Sequence, residues 1–82
     1  MKLPRDISGA QLAGLLQQFG YQITRQTGSH LRLTAVKEGR SHHITIPSHK
    51  GVRVGTLSSI LKEVAQYIEL DYQMLLEKLF GD

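Results

Sequence analysis

Apolar residues in the first quarter of the chain recur at helical spacing. Leu12, Leu15, Leu16 and Phe19 fall three and four apart, with Gln11, Gln17 and Gln18 between them. Ser8 stands where a side-chain oxygen can accept an orphan backbone N–H, and Gly20 stands where a left-handed residue can end the turn. This spacing predicts a helix over 8–19. The period then changes to two. Tyr21, Ile23 and Arg25 alternate with Gln22 and Thr24, and Leu31, Leu33 and Ala35 alternate with His30, Arg32 and Thr34. Strands are predicted over 21–25 and 29–36, joined by a turn at Gln26-Thr27-Gly28. A third is predicted over 41–47, with Ile44 and Ile46 inward, His43 and Thr45 outward, and Pro47 ending the ladder. Lys37-Glu38-Gly39-Arg40 reads as a four-residue hairpin loop.

Helical spacing returns after a loop over 48–55. Thr56 is the expected cap, and Leu57, Ile60, Leu61, Val64 and Ile68 form one apolar stripe. Asp71 is the expected cap of a third helix carrying Tyr72, Leu75, Leu76 and Leu79, closed by Gly81. Glu69-Leu70 is a weak break, so one bent helix over both segments is the alternative. The order α-β-β-β-α-(α) predicts an α+β fold with a three-stranded antiparallel sheet and helices packed on one face. That is the two-layer architecture of double-stranded-RNA-binding domains, dsRBD-like for short. The other sheet face is left to His30, Arg32, Thr34, His43 and Thr45, none of which can serve as core.

Size and composition narrow the reading. Eighty-two residues make a single domain over 1–82 with a small core. There is no cysteine, which excludes disulfide frameworks, thiolate zinc sites and thiol nucleophiles. No apolar run approaches the roughly 20 residues needed to span a bilayer, and no signal core follows the N-terminus. A soluble cytoplasmic protein with no membrane partner is expected.

Charge changes the picture more. Residues 25–53 hold Arg25, Arg32, Lys37, Arg40, Lys50 and Arg53 against Glu38 alone, whereas residues 54–82 are net acidic. All four histidines (30, 42, 43 and 49) lie in the basic stretch. A basic patch of this kind suits phosphate recognition, although charge alone fits a solvated strand surface as well. Tyr21, Phe19 and Phe80 read as core aromatics. Tyr67 and Tyr72 are expected at the surface, away from the basic stretch.

His30 is the centre of the candidate chemistry. It follows Gly28-Ser29 at the mouth of a strand, and an imidazole titrates near pH 6.5, about where proton transfer at neutral pH needs it. Ser29 is placed to orient it. Arg32, two residues on, shares its face and can pair with a phosphate through two guanidinium nitrogens at once. Lys50 is a candidate backbone contact, His49 a candidate second proton carrier, and Thr56 lies at a helix start where N–H groups face an anion. Arg25 and Arg53 extend the same surface. His42 and His43 are adjacent on a strand, point to opposite faces and have no cysteine or carboxylate to complete a metal site, so no metal or cofactor is expected.

In order along the chain come Leu12-x-x-Leu15-Leu16, Phe19-Gly20-Tyr21 and Gln26-x-Gly28-Ser29-His30. Then follow Ile44-Thr45-Ile46-Pro47-x-His49-Lys50 and Val54-Gly55-Thr56-Leu57-x-x-Ile60-Leu61-Lys62. Taken together over about residues 3–64, these resemble the HicA family of toxin endoribonucleases. The resemblance implies an RNA-cleaving toxin of a toxin–antitoxin system, with mRNA as substrate and the catalytic histidine at His30. It also implies a HicB-type antitoxin as partner, giving a monomer when free and a hetero-oligomer when neutralised. Past residue 64 the chain departs from the family pattern, since Val64-Ala65-Gln66-Tyr67-Ile68 continues where members commonly turn. Two other readings fit the same residues: a non-catalytic RNA-binding module and a protein-interaction domain whose basic face docks an acidic partner.

Overall fold

The computed structural model describes residues 2–81. Helix α1 spans Gly9–Leu16 and tightens into a single 3-10 turn at Gln17–Phe19; strands β1, β2 and β3 span Gln22–Gln26, His30–Lys37 and Arg40–Pro47; helices α2 and α3 span Val54–Ile68 and Tyr72–Phe80. The sheet is antiparallel in the order β1-β2-β3. This is the α+β order expected from the hydrophobic pattern.

The first helix begins where its chemistry dictates. Ser8 Oγ accepts the Gln11 N–H at 3.0 Å, while Gln11 Oε1 accepts the Ser8 N–H at 2.9 Å, a reciprocal capping box. Gly20, at φ 91°, takes the left-handed conformation that ends the 3-10 turn and delivers Tyr21 into the core, fully buried.

The sheet is covered on one side only. Leu31, Leu33, Ala35, Ile44 and Ile46 are buried against Leu12, Leu16, Leu57, Leu61, Val64, Leu75 and Leu76. Their strand neighbours His30, Arg32, His43 and Thr45 are exposed. Period two fixes this division, because a residue cannot face both layers.

Three expectations need correction. Lys37 pairs with Arg40, so the hairpin loop is two residues, Glu38-Gly39, both at positive φ; such a turn matches strand twist better than a four-residue loop. Thr56 is not the cap of α2. The helix starts at Val54, with Arg53 as the flanking residue and the Arg53 carbonyl accepting the Leu57 N–H at 2.8 Å. Val52, buried and bonded through its N–H to the Ile7 carbonyl at 2.7 Å, fixes that earlier start. Helices α2 and α3 are separate, as the Asp71 cap predicts, and the alternative of one bent helix falls. Glu69 is left-handed at φ 58°, its N–H reaches Gln66 O, and Leu70 N–H reaches Ala65 O, which together form a Schellman stop. Asp71 then caps α3 as expected, accepting the Met74 N–H.

The third correction concerns Tyr67, which does sit on the basic stretch. Its hydroxyl donates to the Arg40 carbonyl at 2.6 Å, and its ring stacks on His42 with centroids 4.8 Å apart. His42 Nδ1 lies 2.7 Å from the Tyr21 hydroxyl. Burial pushes that hydroxyl well above the ordinary phenol range, with Tyr67 and Glu63 adding to the shift. Tyr21 therefore keeps its proton in this contact, and His42 Nε2, on the other side of the ring, lies 3.9 Å from a Glu63 carboxylate oxygen. His42 belongs to the packing between sheet and helix.

Gly9 lies against the end of β3. A Cβ there would overlap the Pro47 carbonyl oxygen and come within 3.1 Å of Ser48 Cα, whereas one at Gly14 would meet open space. Gly9→Ala should lower the unfolding free energy by about 1–3 kcal/mol. Gly14→Ala, in the same helix, should raise it by about 0.5–1 kcal/mol. Urea titrations of the two variants give the comparison.

Candidate active site

The β1–β2 connection is a tight turn built from its own side chains. Thr27 N–H donates to the His30 carbonyl at 2.9 Å, closing the loop over Gly28-Ser29. Thr27 Oγ1 accepts the His30 N–H at 3.0 Å and the Ser29 N–H at 3.4 Å. A threonine hydroxyl at this place satisfies two amides that the ladder does not reach.

A second segment grips the same turn. Ser48 donates its N–H to the Ser29 carbonyl at 2.9 Å and its Oγ–H to the Gly28 carbonyl at 3.1 Å. The next residue, His49, gives its carbonyl to the Gly9 N–H at 3.0 Å. Thus the end of β3 is held between the β1–β2 turn and the start of α1. The ladder adds to this by pairing His30 with Pro47.

Upon this support the His30 ring is exposed, and its Nδ1 lies 2.9 Å from Ser29 Oγ. A hydroxyl can accept from Nδ1–H in both the neutral and the protonated imidazole. In that arrangement Nε2 is the nitrogen that faces solvent. Ser29 and His30 are therefore brought into contact. Arg32 lies two residues along the same open face, exposed.

Arg25 is placed differently from the alternation. A bulge between Ile23 and Arg25 shifts the register, so that Ile23 opposes Leu33 while Arg25 opposes Arg32. Strict alternation puts Arg25 with Tyr21 and Ile23 on the helix side. The bulge turns it to the open face instead. Thr24 is on this face too, bonded to Thr34 Oγ1 at 2.9 Å, and Thr34 Oγ1 lies 2.8 Å from His43 Nδ1. This cross-strand chain of Thr24, Thr34 and His43 was visible in the sequence only as outward positions.

Lys50 is exposed two residues after Ser48, and Arg53 and Thr56 are exposed at the start of α2. These three are tied to the His30 turn through the loop over 48–53, not through a direct bond to His30. Lys37 and Arg40 go to the other side. Lys37 Nζ donates to the Ile68 carbonyl at the end of α2, and the Arg40 guanidinium lies over the Tyr67 ring. Among the described residues, no group of three or more His, Cys, Asp or Glu is placed to hold a metal ion. No helix among them is long and apolar enough to cross a membrane.

A family model described as HicA toxin of bacterial toxin-antitoxin matches residues 9–65, from the start of α1 through most of α2. The chain belongs to the HicA toxin family. The matched span includes the His30 turn, the Ser48 contact and the loop that carries His49 and Lys50, while α3 falls outside it. No curated protein and no solved structure matches the chain. Membership in HicA assigns a toxin role and implies a cognate antitoxin.

The grip on the turn has a measurable consequence. Ser48→Ala removes one of the two bonds and should cost about 0.5–1.5 kcal/mol of stability. Hydrogen exchange should quicken at the Ser29 and His30 amides while the α2 amides keep wild-type rates.

Proposed function

We propose that this HicA chain is a metal-independent endoribonuclease that cuts mRNA with His30 as general acid and base. The observation that carries this reading is the contact between Ser29 Oγ and His30 Nδ1 on a face the helices leave open. A ring held at one nitrogen and free at the other is what proton transfer to and from a ribose needs.

In this mechanism His30 Nε2 takes the proton of a 2′-hydroxyl. The 2′-oxygen attacks the adjacent phosphorus in line, the bond from phosphorus to the 5′-oxygen breaks, and a proton passes to that oxygen. The products are a 2′,3′-cyclic phosphate and a 5′-hydroxyl. His49, beside Ser48, is the candidate donor of the second proton. Arg25, Arg32, Lys50 and Arg53 supply the positive surface that holds the strand, and Arg32 is nearest along β2 to the charge that develops at phosphorus. Thr56, with the free N–H groups that open α2, extends this surface. A HicB-type antitoxin silences the enzyme by covering the open face around His30.

His30→Ala should retain the circular dichroism and melting temperature of wild type and lose about 10²–10⁴-fold in cleavage rate. Cleavage by wild type should survive EDTA, and a substrate lacking the reacting 2′-hydroxyl should resist it. Undiminished cutting by a folded His30→Ala protein contradicts the assignment. Products bearing 5′-phosphate contradict the route.

A further inference from the structure

We propose that Arg25 and Arg32 form a paired-guanidinium clamp for a single phosphodiester of an RNA strand, assembled by the bulge at Thr24. This deepens the nuclease reading and rests on its premise that RNA lies on the open face.

The pairing itself is the first argument. Like charges directly opposite on neighbouring strands destabilise a sheet. Ordinary alternation would separate these two arginines onto different faces, yet the register shift between Ile23 and Arg25 brings them opposite each other. Nothing on the sheet relieves their repulsion. Residues 22–37 contain no aspartate or glutamate, and the one carboxylate within 4.0 Å of a basic side-chain nitrogen among the described residues, Glu63 beside His42, is on the helix side. An anion between the two would do so.

Geometry favours a phosphate. Opposed residues have Cβ atoms about 4.5–5.5 Å apart, so two long guanidinium side chains can converge on the oxygens of one tetrahedral group. The hydroxyl of Thr24 bonds Thr34 next to them, and Thr34 contacts His43, which stiffens the neighbouring pair positions. Arg32 stands two residues from His30, about 7 Å along the strand. A phosphate held there is close to the one that His30 would address.

Few apolar anchors flank the arginines, which leaves charge as their means of holding a ligand. Protein hot spots set arginine among buried aromatic and apolar side chains. Of the exposed large apolar side chains among the described residues, Val36 alone is on the open face, at the far end of β2 from His30. Around the arginines are Thr24, Thr34, Thr45 and His43 instead.

The test measures binding of a 2′-O-methylated single-stranded oligoribonucleotide across a range of salt concentrations. Wild type is compared with Arg25→Gln, Arg32→Gln and the double variant, each checked for folding by circular dichroism. Each single variant should make the slope of log affinity against log salt shallower by about 0.7. The double variant should lose less affinity than the two single losses combined, because one phosphate is shared. Arg25→Lys should keep the wild-type slope but bind more weakly, since it retains charge without the fork. Additive losses, or slopes equal to wild type, overturn the clamp. So does RNA binding that is untouched while affinity for the cognate antitoxin falls, which assigns the pair to the protein partner. Because binding is read and not cutting, a wild type that binds in this pattern but leaves the unmethylated oligoribonucleotide uncut contradicts the nuclease reading alone.

Discussion

Two hydrogen bonds from Ser48 to consecutive carbonyls of the β1–β2 turn connect everything that matters at the candidate site. They join the segment bearing Ser29 and His30 to the end of β3, which is pressed in turn against α1 at Gly9. A turn of two residues at a sheet end would ordinarily be among the most mobile parts of so small a protein. Here its backbone is fixed from three directions: by Thr27 within the turn, by the ladder pair with Pro47, and by Ser48 from outside. The imidazole can stand in solvent and still have a defined place.

The four histidines show how the fold divides one residue type into different work. His42 is drawn into the layer between sheet and helix, bonded by Tyr21 and stacked on Tyr67. His43, one residue on, faces the opposite way and closes a hydroxyl chain across the open face. His30 is fixed at one nitrogen by the neighbouring serine. His49 has its carbonyl engaged by α1 while its side chain is exposed. The basic residues divide similarly: Lys37 and Arg40 serve the ends of helix and hairpin, whereas Arg25, Arg32, Lys50 and Arg53 are exposed.

Most of the architecture was legible because its cause is periodic. Leu31, Leu33 and Ala35 could face only one layer, and that choice put His30 and Arg32 on the other. Ser8, Gly20 and Asp71 acted as the caps and stop their chemistry suggests. What escaped was set by tertiary contact. Thr56 was a good cap by type, but burial of Val52 and its bond to Ile7 start the helix earlier. Alternation alone grouped Arg25 with Tyr21 and Ile23, because a bulge leaves no mark in a pattern of period two, although its charge had placed it on the basic surface. Tyr67 looked remote from the basic stretch since α2 is distant in sequence, and only the packing of helix on sheet brings it to His42. The contact of Ser48 with the turn spans about twenty positions and has no local signature.

The histidine rings offer the most direct trial of the claim that RNA is worked on at the uncovered face. Their nitrogen and Cε1 proton signals can be followed while an uncleavable 2′-O-methylated oligoribonucleotide is added. The account predicts that the His30 ring moves most, that His43 moves with it, and that His42 keeps its free-protein shifts. Movement confined to His42, with His30 unchanged at saturation, would contradict it.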